Sequence, residues 1–258
     1  MAILYKLAGN LKRGYNVFMN IWQYLLLFSI ALIPSFFWLW FFTRYDWQKK
    51  EPAALILKVF IWGVLCGFPI IFLEQSLENY FLVGVETSGF LFLVVKSFLV
   101  VALLEEGFKM LVVRNKVFYH PAFDERVDGI IYCVTVGLGL AAFENIASIF
   151  IEGPSLVFYR FATTTLMHAL AAGVMGFFIG AAKFNPDKEK RLIFLGLVIA
   201  IIFHGTYNVI VKSAYTQNIT YLLIWLLVMF SVVLALIKLT TPTTCRLSPP
   251  TNPTRPPE

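Results

Sequence analysis

The sequence predicts an all-α membrane protein, a polytopic bundle of about seven transmembrane helices. Hydrophobic residues make up 59% of the 258 positions and charged residues only 14%, whereas a soluble domain has about 25% charged residues. In addition, seven apolar segments are each long enough to cross the ~30 Å hydrocarbon layer of a bilayer. The net charge of +6 implies no nucleic acid partner, because membrane proteins collect Lys and Arg in the loops on one side.

The predicted spans divide the chain into an N-terminal segment, a membrane domain and a tail. The spans are Ile21–Phe42, Ala54–Leu73, Phe90–Val113, Val127–Phe150, Leu156–Ala182, Leu192–Val211 and Ile219–Leu239. Residues 1–20 place leucines and basic residues on different helix faces, which predicts an amphipathic segment in the membrane interface. Residues 21–240 form the predicted membrane domain, with residues 90–211 as its core. The Pro- and Thr-rich residues 241–258 are predicted to be disordered.

The charges of the loops predict an orientation. With seven spans, most Lys and Arg residues of the short loops lie on one side, and the predicted loop Glu74–Gly89 on the other side has three acids and no base. The side rich in Lys and Arg is normally cytoplasmic. We therefore expect the N-terminus outside and the C-terminus inside the cell.

Charged residues inside the third predicted span are the strongest functional signal. Glu105 and Glu106 follow an apolar run, and Lys109 lies at i+4 and i+3 from them, so one helix face carries all three charges. A charged side chain at the bilayer centre costs about 2.5–3.5 kcal/mol on insertion scales and usually marks a functional site.

Four more polar residues lie inside three later spans. They are Glu144, His168, His204 and Asn208, of which the last two are at i and i+4 and share a helix face. One His or Asn in such a helix is more often a packing contact than a catalyst, by about three to one. Burying the whole set stabilises nothing by itself. The set therefore predicts a site for acid–base chemistry or metal binding, because Glu and His are also zinc ligands.

These residues, in this order, resemble the PrsW family of intramembrane proteases, which is similar to the CAAX prenyl endopeptidases and the bacteriocin-processing proteases. The motifs that carry the resemblance are Glu105-Glu106-x-x-Lys109, Phe143-Glu144, His168 with Gly176 eight residues later, and His204 with a polar residue at 208. The resemblance extends over residues 90–211. The chain departs from the family pattern in having Ser148 where Tyr is usual and Asn208 where Asp is usual.

The resemblance implies an endopeptidase of a prokaryotic cell membrane that cuts a membrane-anchored protein, in PrsW proper an anti-sigma factor at its first cleavage site. It implies that Glu105 is the general base that activates water, without a cofactor, and that Glu106 and Lys109 support it. His168 and His204 would position the water or stabilise charge.

The resemblance also implies that Asn208 helps to bind the oxyanion of the tetrahedral intermediate. Glu144 is a supporting residue without an assigned role.

Three other hypotheses remain open at this point. One is an inactive scaffold that binds membrane helices, which the intact Glu105, Glu106 and both histidines disfavour; the other two assign a chemical role to these residues. In the first, Glu105, His168 and His204 bind zinc, and the zinc activates the water; because the sequence has no HExxH motif, these ligands come from separate helices. In the second, the chain is a transporter, and the intramembrane acids conduct protons or cations. The seven predicted spans show no inverted repeat, which disfavours the transporter.

Overall fold

The computed structural model describes residues 20–46, 49–81, 89–213 and 219–240, and these residues form helices and short connections. The helices are α1 (Ile21–Thr43), α2 (Ala53–Phe81), α3 (Phe90–Val95), a π-helical segment (Lys96–Ala102), α4 (Leu103–Lys116), α5 (Arg126–Glu152), α6 (Val157–Ala162), α7 (Thr164–Lys183), α8 (Glu189–Ser213) and α9 (Ile219–Thr240). The predicted all-α bundle is confirmed. The predicted interfacial segment, except Asn20, and the predicted disordered tail lie outside the described residues.

Six stretches of the described chain are long and apolar enough to cross a membrane. They are Ile21–Thr43, Ala53–Asn79, Arg126–Phe150, Val157–Lys183, Pro186–Ser213 and Ile219–Thr240. The seventh predicted span is also helical, but it is not a uniform apolar α-helix. Its π-helical segment separates α3 from α4, and α4 carries Glu105, Glu106 and Lys109.

Helix α2 is longer than the sequence predicted. It continues to Phe81, so Glu74 and Glu78 are helical residues rather than part of a loop. Glu78 Oε1 lies 2.6 Å from Lys96 Nζ of the π-helical segment. This ion pair holds the end of α2 beside the start of the π-helical segment.

Helices α5 and α7 form the centre of the bundle and pack backbone against backbone. A Cβ atom added to Gly129 would lie 2.4 Å from the carbonyl oxygen of Gly176, and one added to Gly176 would lie 2.3 Å from that of Gly129. Only glycine allows two helices to approach so closely. This crossing fixes the positions of Glu144 on α5 and His168 on α7.

Helix α8 packs against the π-helical segment through a glycine that contacts an aromatic side chain. A Cβ atom added to Gly205 would lie 2.5 Å from Cδ1 of Phe98. Because Gly205 follows His204, the ring of Phe98 sets how close the histidine comes to α4. The packing therefore places His204 beside the two glutamates.

Candidate functional site

A cavity of about 460 Å³ lies between α2, α4, α5, α7 and α8, and its wall contains most of the predicted site residues. The predicted residues that line it are Glu105, Glu144, His168, His204 and Asn208. Glu106 and Lys109 lie beneath this wall, where each is fully buried. The structure thus brings together, at and directly beneath the wall of one cavity, all seven residues that the sequence singled out.

Lys109 and Glu106 form a buried ion pair below the cavity. Lys109 Nζ donates a hydrogen bond of 2.7 Å to Glu106 Oε1. The same oxygen lies 2.7 Å from Nδ1 of His204. Because a carboxylate only accepts hydrogen bonds, Nδ1 of His204 carries the proton. In the neutral ring, Nε2 of His204 is then a free acceptor.

His168 is held from both sides. Its Nδ1 lies 3.1 Å from Lys109 Nζ, and its Nε2 lies 3.3 Å from Glu144 Oε2. Because an ammonium group only donates, Nδ1 accepts from Lys109 and Nε2 donates to Glu144. These two contacts fix the tautomer and the orientation of the ring.

Glu105 lies between the two histidines and is 5% exposed. Its Oε2 is 3.5 Å from Nδ1 of His168, 4.0 Å from Nε2 of His204 and 4.0 Å from Lys109 Nζ. This oxygen has no hydrogen-bond partner among the described residues, and neither has Nδ2 of Asn208. A buried polar atom without a protein partner normally binds water, an ion or a ligand.

The structure adds residues around Glu144 that sequence reasoning did not assign to the site. Arg160 donates to Glu144 Oε2 at 3.0 Å and to Asn145 Oδ1 at 2.7 Å. Asn145 Nδ2 in turn donates to Thr165 Oγ1 at 3.0 Å. Sequence spacing gave no signal for Asn145, because adjacent residues of a helix do not share a face.

Glu105, His168 and His204 have the donor set of a metal site. Each offers one ligand atom, these atoms lie within 4.8 Å of one another, and all three residues are buried. Two imidazoles and a carboxylate are ligands that zinc accepts. Each ring also donates one N–H to a carboxylate, His168 to Glu144 and His204 to Glu106. Metal-binding histidines usually have such a partner. The residues therefore fit a zinc ion, provided that Lys109 releases Nδ1 of His168.

Comparison with known proteins gives matches to one family. The family described as PrsW family intramembrane metalloprotease matches residues 51–236. Protease PrsW of Bacillus subtilis (strain 168) is 34% identical over 186 residues, which cover 72% of this chain and 82% of that protein. Protease PrsW of Geobacillus kaustophilus (strain HTA426) is 34% identical over 182 residues, or 70% of this chain and 78% of the relative.

Protease PrsW of Clostridioides difficile (strain 630) is 30% identical over 212 residues, which cover 80% of this chain and 87% of that protein. No solved structure matches the chain. The region matched by the family contains every residue of the cavity wall described above.

Proposed function

The chain belongs to the PrsW family and is an intramembrane peptidase, and we propose that Glu105 activates the water that cuts the peptide bond. One observation carries this proposal. Glu105 Oε2 is unpartnered within the described residues and lies 4.0 Å from the free acceptor Nε2 of His204. That separation is too long for a direct hydrogen bond and suits a single bridging water.

In the proposed reaction, the bridging water donates one hydrogen to Glu105 and the other to Nε2 of His204. Glu105 takes a proton as the water oxygen attacks the carbonyl carbon of the substrate, and it later gives this proton to the leaving amine. Glu106 keeps His204 in the required tautomer by accepting its Nδ1–H at 2.7 Å. Nδ2 of Asn208, also unpartnered within the described chain, donates to the oxygen that becomes negatively charged.

The proposed reaction requires an unwound substrate. Inside an α-helix, a peptide carbonyl accepts a hydrogen bond from the N–H four residues later, and this bond has to open before Asn208 can donate to the same oxygen. We therefore propose that a membrane-anchored protein enters as an extended segment, with its backbone hydrogen bonds released near the cut. The membrane-anchored anti-sigma factor implied by the resemblance is the first such substrate to test.

Zinc-dependent hydrolysis is the second candidate, and the buried cluster of Glu105, His168 and His204 favours it. A zinc ion bound there would supply an ionised water at neutral pH. The carboxylates of Glu106 and Glu144 would orient the two rings, as they do in the arrangement described above. In this alternative, Glu105 is a ligand instead of the base.

We also propose that the basic end of the bundle faces the cytoplasm, with the N-terminus outside. The ion pair Lys49–Asp124 joins the α1–α2 connection to the α4–α5 connection. The pair Arg114–Glu189 joins the end of α4 to the start of α8, so three connections rich in Lys and Arg lie at one end. The pair of Glu78 with Lys96 lies at the other end. The helical run 90–116 therefore connects the two ends, which makes seven crossings within the described residues and supports termini on opposite sides.

Reconstituted protein tests the proposed reaction. Glu105→Gln in proteoliposomes should abolish cleavage of a validated membrane substrate. Glu189→Gln is the matched control, since it makes the same chemical change at a partly exposed ion pair and should retain activity. Metal analysis and chelation of the wild type separate the two candidates: activity that persists in metal-free protein excludes the zinc mechanism. Undiminished cleavage by Glu105→Gln would exclude both roles for this carboxylate.

A further inference from the structure

A second group of acidic residues lies at the basic end of the bundle, away from the cavity. Asp46 and Glu51 come from the connection between α1 and α2, and Glu125 and Asp128 come from the start of α5. Carboxylate oxygens of Asp46, Glu125 and Asp128 lie within 4.8 Å of one another. Two connections that are far apart in the sequence thus bring their acids to one point.

Backbone N–H groups hold three of these carboxylates. That of Glu125 accepts from the backbone N–H of Asp128, and those of Asp46 and Asp128 are each held by one oxygen. Glu51 N donates to Asp46 Oδ2 at 2.7 Å. Asp128 Oδ2 accepts from the backbone N–H groups of residues 124 and 125 at 2.9 and 2.6 Å. In both Asp46 and Asp128, the other oxygen, Oδ1, is therefore available for a further ligand.

These remaining oxygens have no partner in the described ranges. Oδ1 of Asp46 and Oδ1 of Asp128 are both buried and unpaired, in side chains of residues that are 4% and 0% exposed. Glu51 Oε1 is also buried and unpaired, whereas its Oε2 accepts from the hydroxyl of Tyr132. A buried carboxylate oxygen without a donor is costly and points to a missing cation or water.

The lysines nearby do not reach these oxygens. Lys49 is paired with Asp124 and is largely exposed. Lys50 lines an adjoining cavity of about 310 Å³ together with Asp46 and Glu51, but it bonds to none of the unpaired oxygens. The cluster offers oxygen donors only, which suit hard cations such as Mg²⁺ and Ca²⁺ better than zinc.

We propose that Asp46, Glu125 and Asp128 bind a divalent hard cation that ties the α1–α2 connection to the start of α5. Glu51 provides a further oxygen, and the hydroxyl of Tyr132 holds it in place. The site is separate from the peptidase cavity and shares none of its residues. Its role is to hold the cytoplasmic ends of α1, α2 and α5 together. Because α5 is one of the two central helices, this cross-link stabilises the whole bundle.

Thermal unfolding of the full chain in detergent tests this site. The protein is stripped with a chelator and titrated with MgCl₂ or with CaCl₂. The unfolding midpoint should rise with the logarithm of cation concentration above the dissociation constant, by about 5–10 °C at a hundredfold excess. The ion whose effect on the midpoint begins at the lower concentration binds more tightly.

Variants locate the effect. Asp46→Asn should need at least tenfold more cation for the same rise, and Glu125→Gln, at a partly exposed position, gives an independent test if Asp46→Asn does not fold. Asp187→Asn, in an exposed turn, and Glu105→Gln, in the other metal-competent cluster, should respond like the wild type. A wild type that does not respond at millimolar cation, or a full response in both Asp46→Asn and Glu125→Gln, would overturn the proposal.

Discussion

Removing the buried ammonium of Lys109 should destabilise the bundle strongly. Lys109 Nζ lies 2.7 Å from Glu106 Oε1, 3.1 Å from Nδ1 of His168 and 4.0 Å from Glu105 Oε2. Lys109→Met keeps a side chain of similar volume but leaves the carboxylate of Glu106 buried without its cation. Breaking one half of a buried pair costs about 3–5 kcal/mol, so we expect a loss of unfolding free energy of that size.

A double-mutant cycle separates the charge pair from simple packing. Glu106→Gln removes the other charge, so Lys109→Met combined with Glu106→Gln should recover about 2–3 kcal/mol relative to the sum of the single variants. Stability is measured by denaturant unfolding in detergent, and turnover is measured on the same preparations. The double variant should stay inactive, because His204 loses its carboxylate partner. A loss under 1 kcal/mol for Lys109→Met, or strictly additive losses, would refute the pairing.

Three further predictions concern the oxyanion site, the helix crossing and access to the cavity. Asn208→Ala should lower turnover by about 10²–10³-fold, and Asn208→Asp, the residue usual in the family, should lose less; equal rates for the alanine variant and the wild type would make Asn208 a packing residue. Gly176→Ala should lower the thermal midpoint, because its Cβ would lie 2.3 Å from the carbonyl oxygen of Gly129; an unchanged midpoint would contradict this close approach. In a cysteine-free background, Val211→Cys on the cavity wall should react with a membrane-impermeant thiol reagent added outside the cell, and labelling from the cytoplasm alone would show that the proposed orientation is wrong.

Sequence reasoning predicted those features that depend on neighbours along the chain. Apolar composition and segment length predicted the helices, because each transmembrane helix satisfies its own backbone hydrogen bonds. The i+3 and i+4 spacing predicted that Lys109 lies beside Glu106 and Glu105, which the structure gives as 2.7 and 4.0 Å. Both results follow from helix geometry, which is the same wherever the helix packs.

Local rules failed where a tertiary contact replaces the regular pattern. The third predicted span contains a π-helical segment, against which α8 packs at Gly205. Helix α2 continues past its apolar residues to Phe81, and the pair of Glu78 with Lys96 provides a partner for the charge there. Neither contact is visible from spacing, because each joins distant parts of the sequence.

The pairing of site residues was also decided by tertiary structure alone. The sequence indicated that two histidines and three glutamates share the membrane interior, but not that Glu106 binds His204 while Glu144 binds His168. The acids at the opposite end, Asp46 and Asp128, belong to elements that meet only in the folded bundle. Periodicity determines which face of a helix is polar, whereas the close packing of backbones at the glycine contacts determines which polar faces meet.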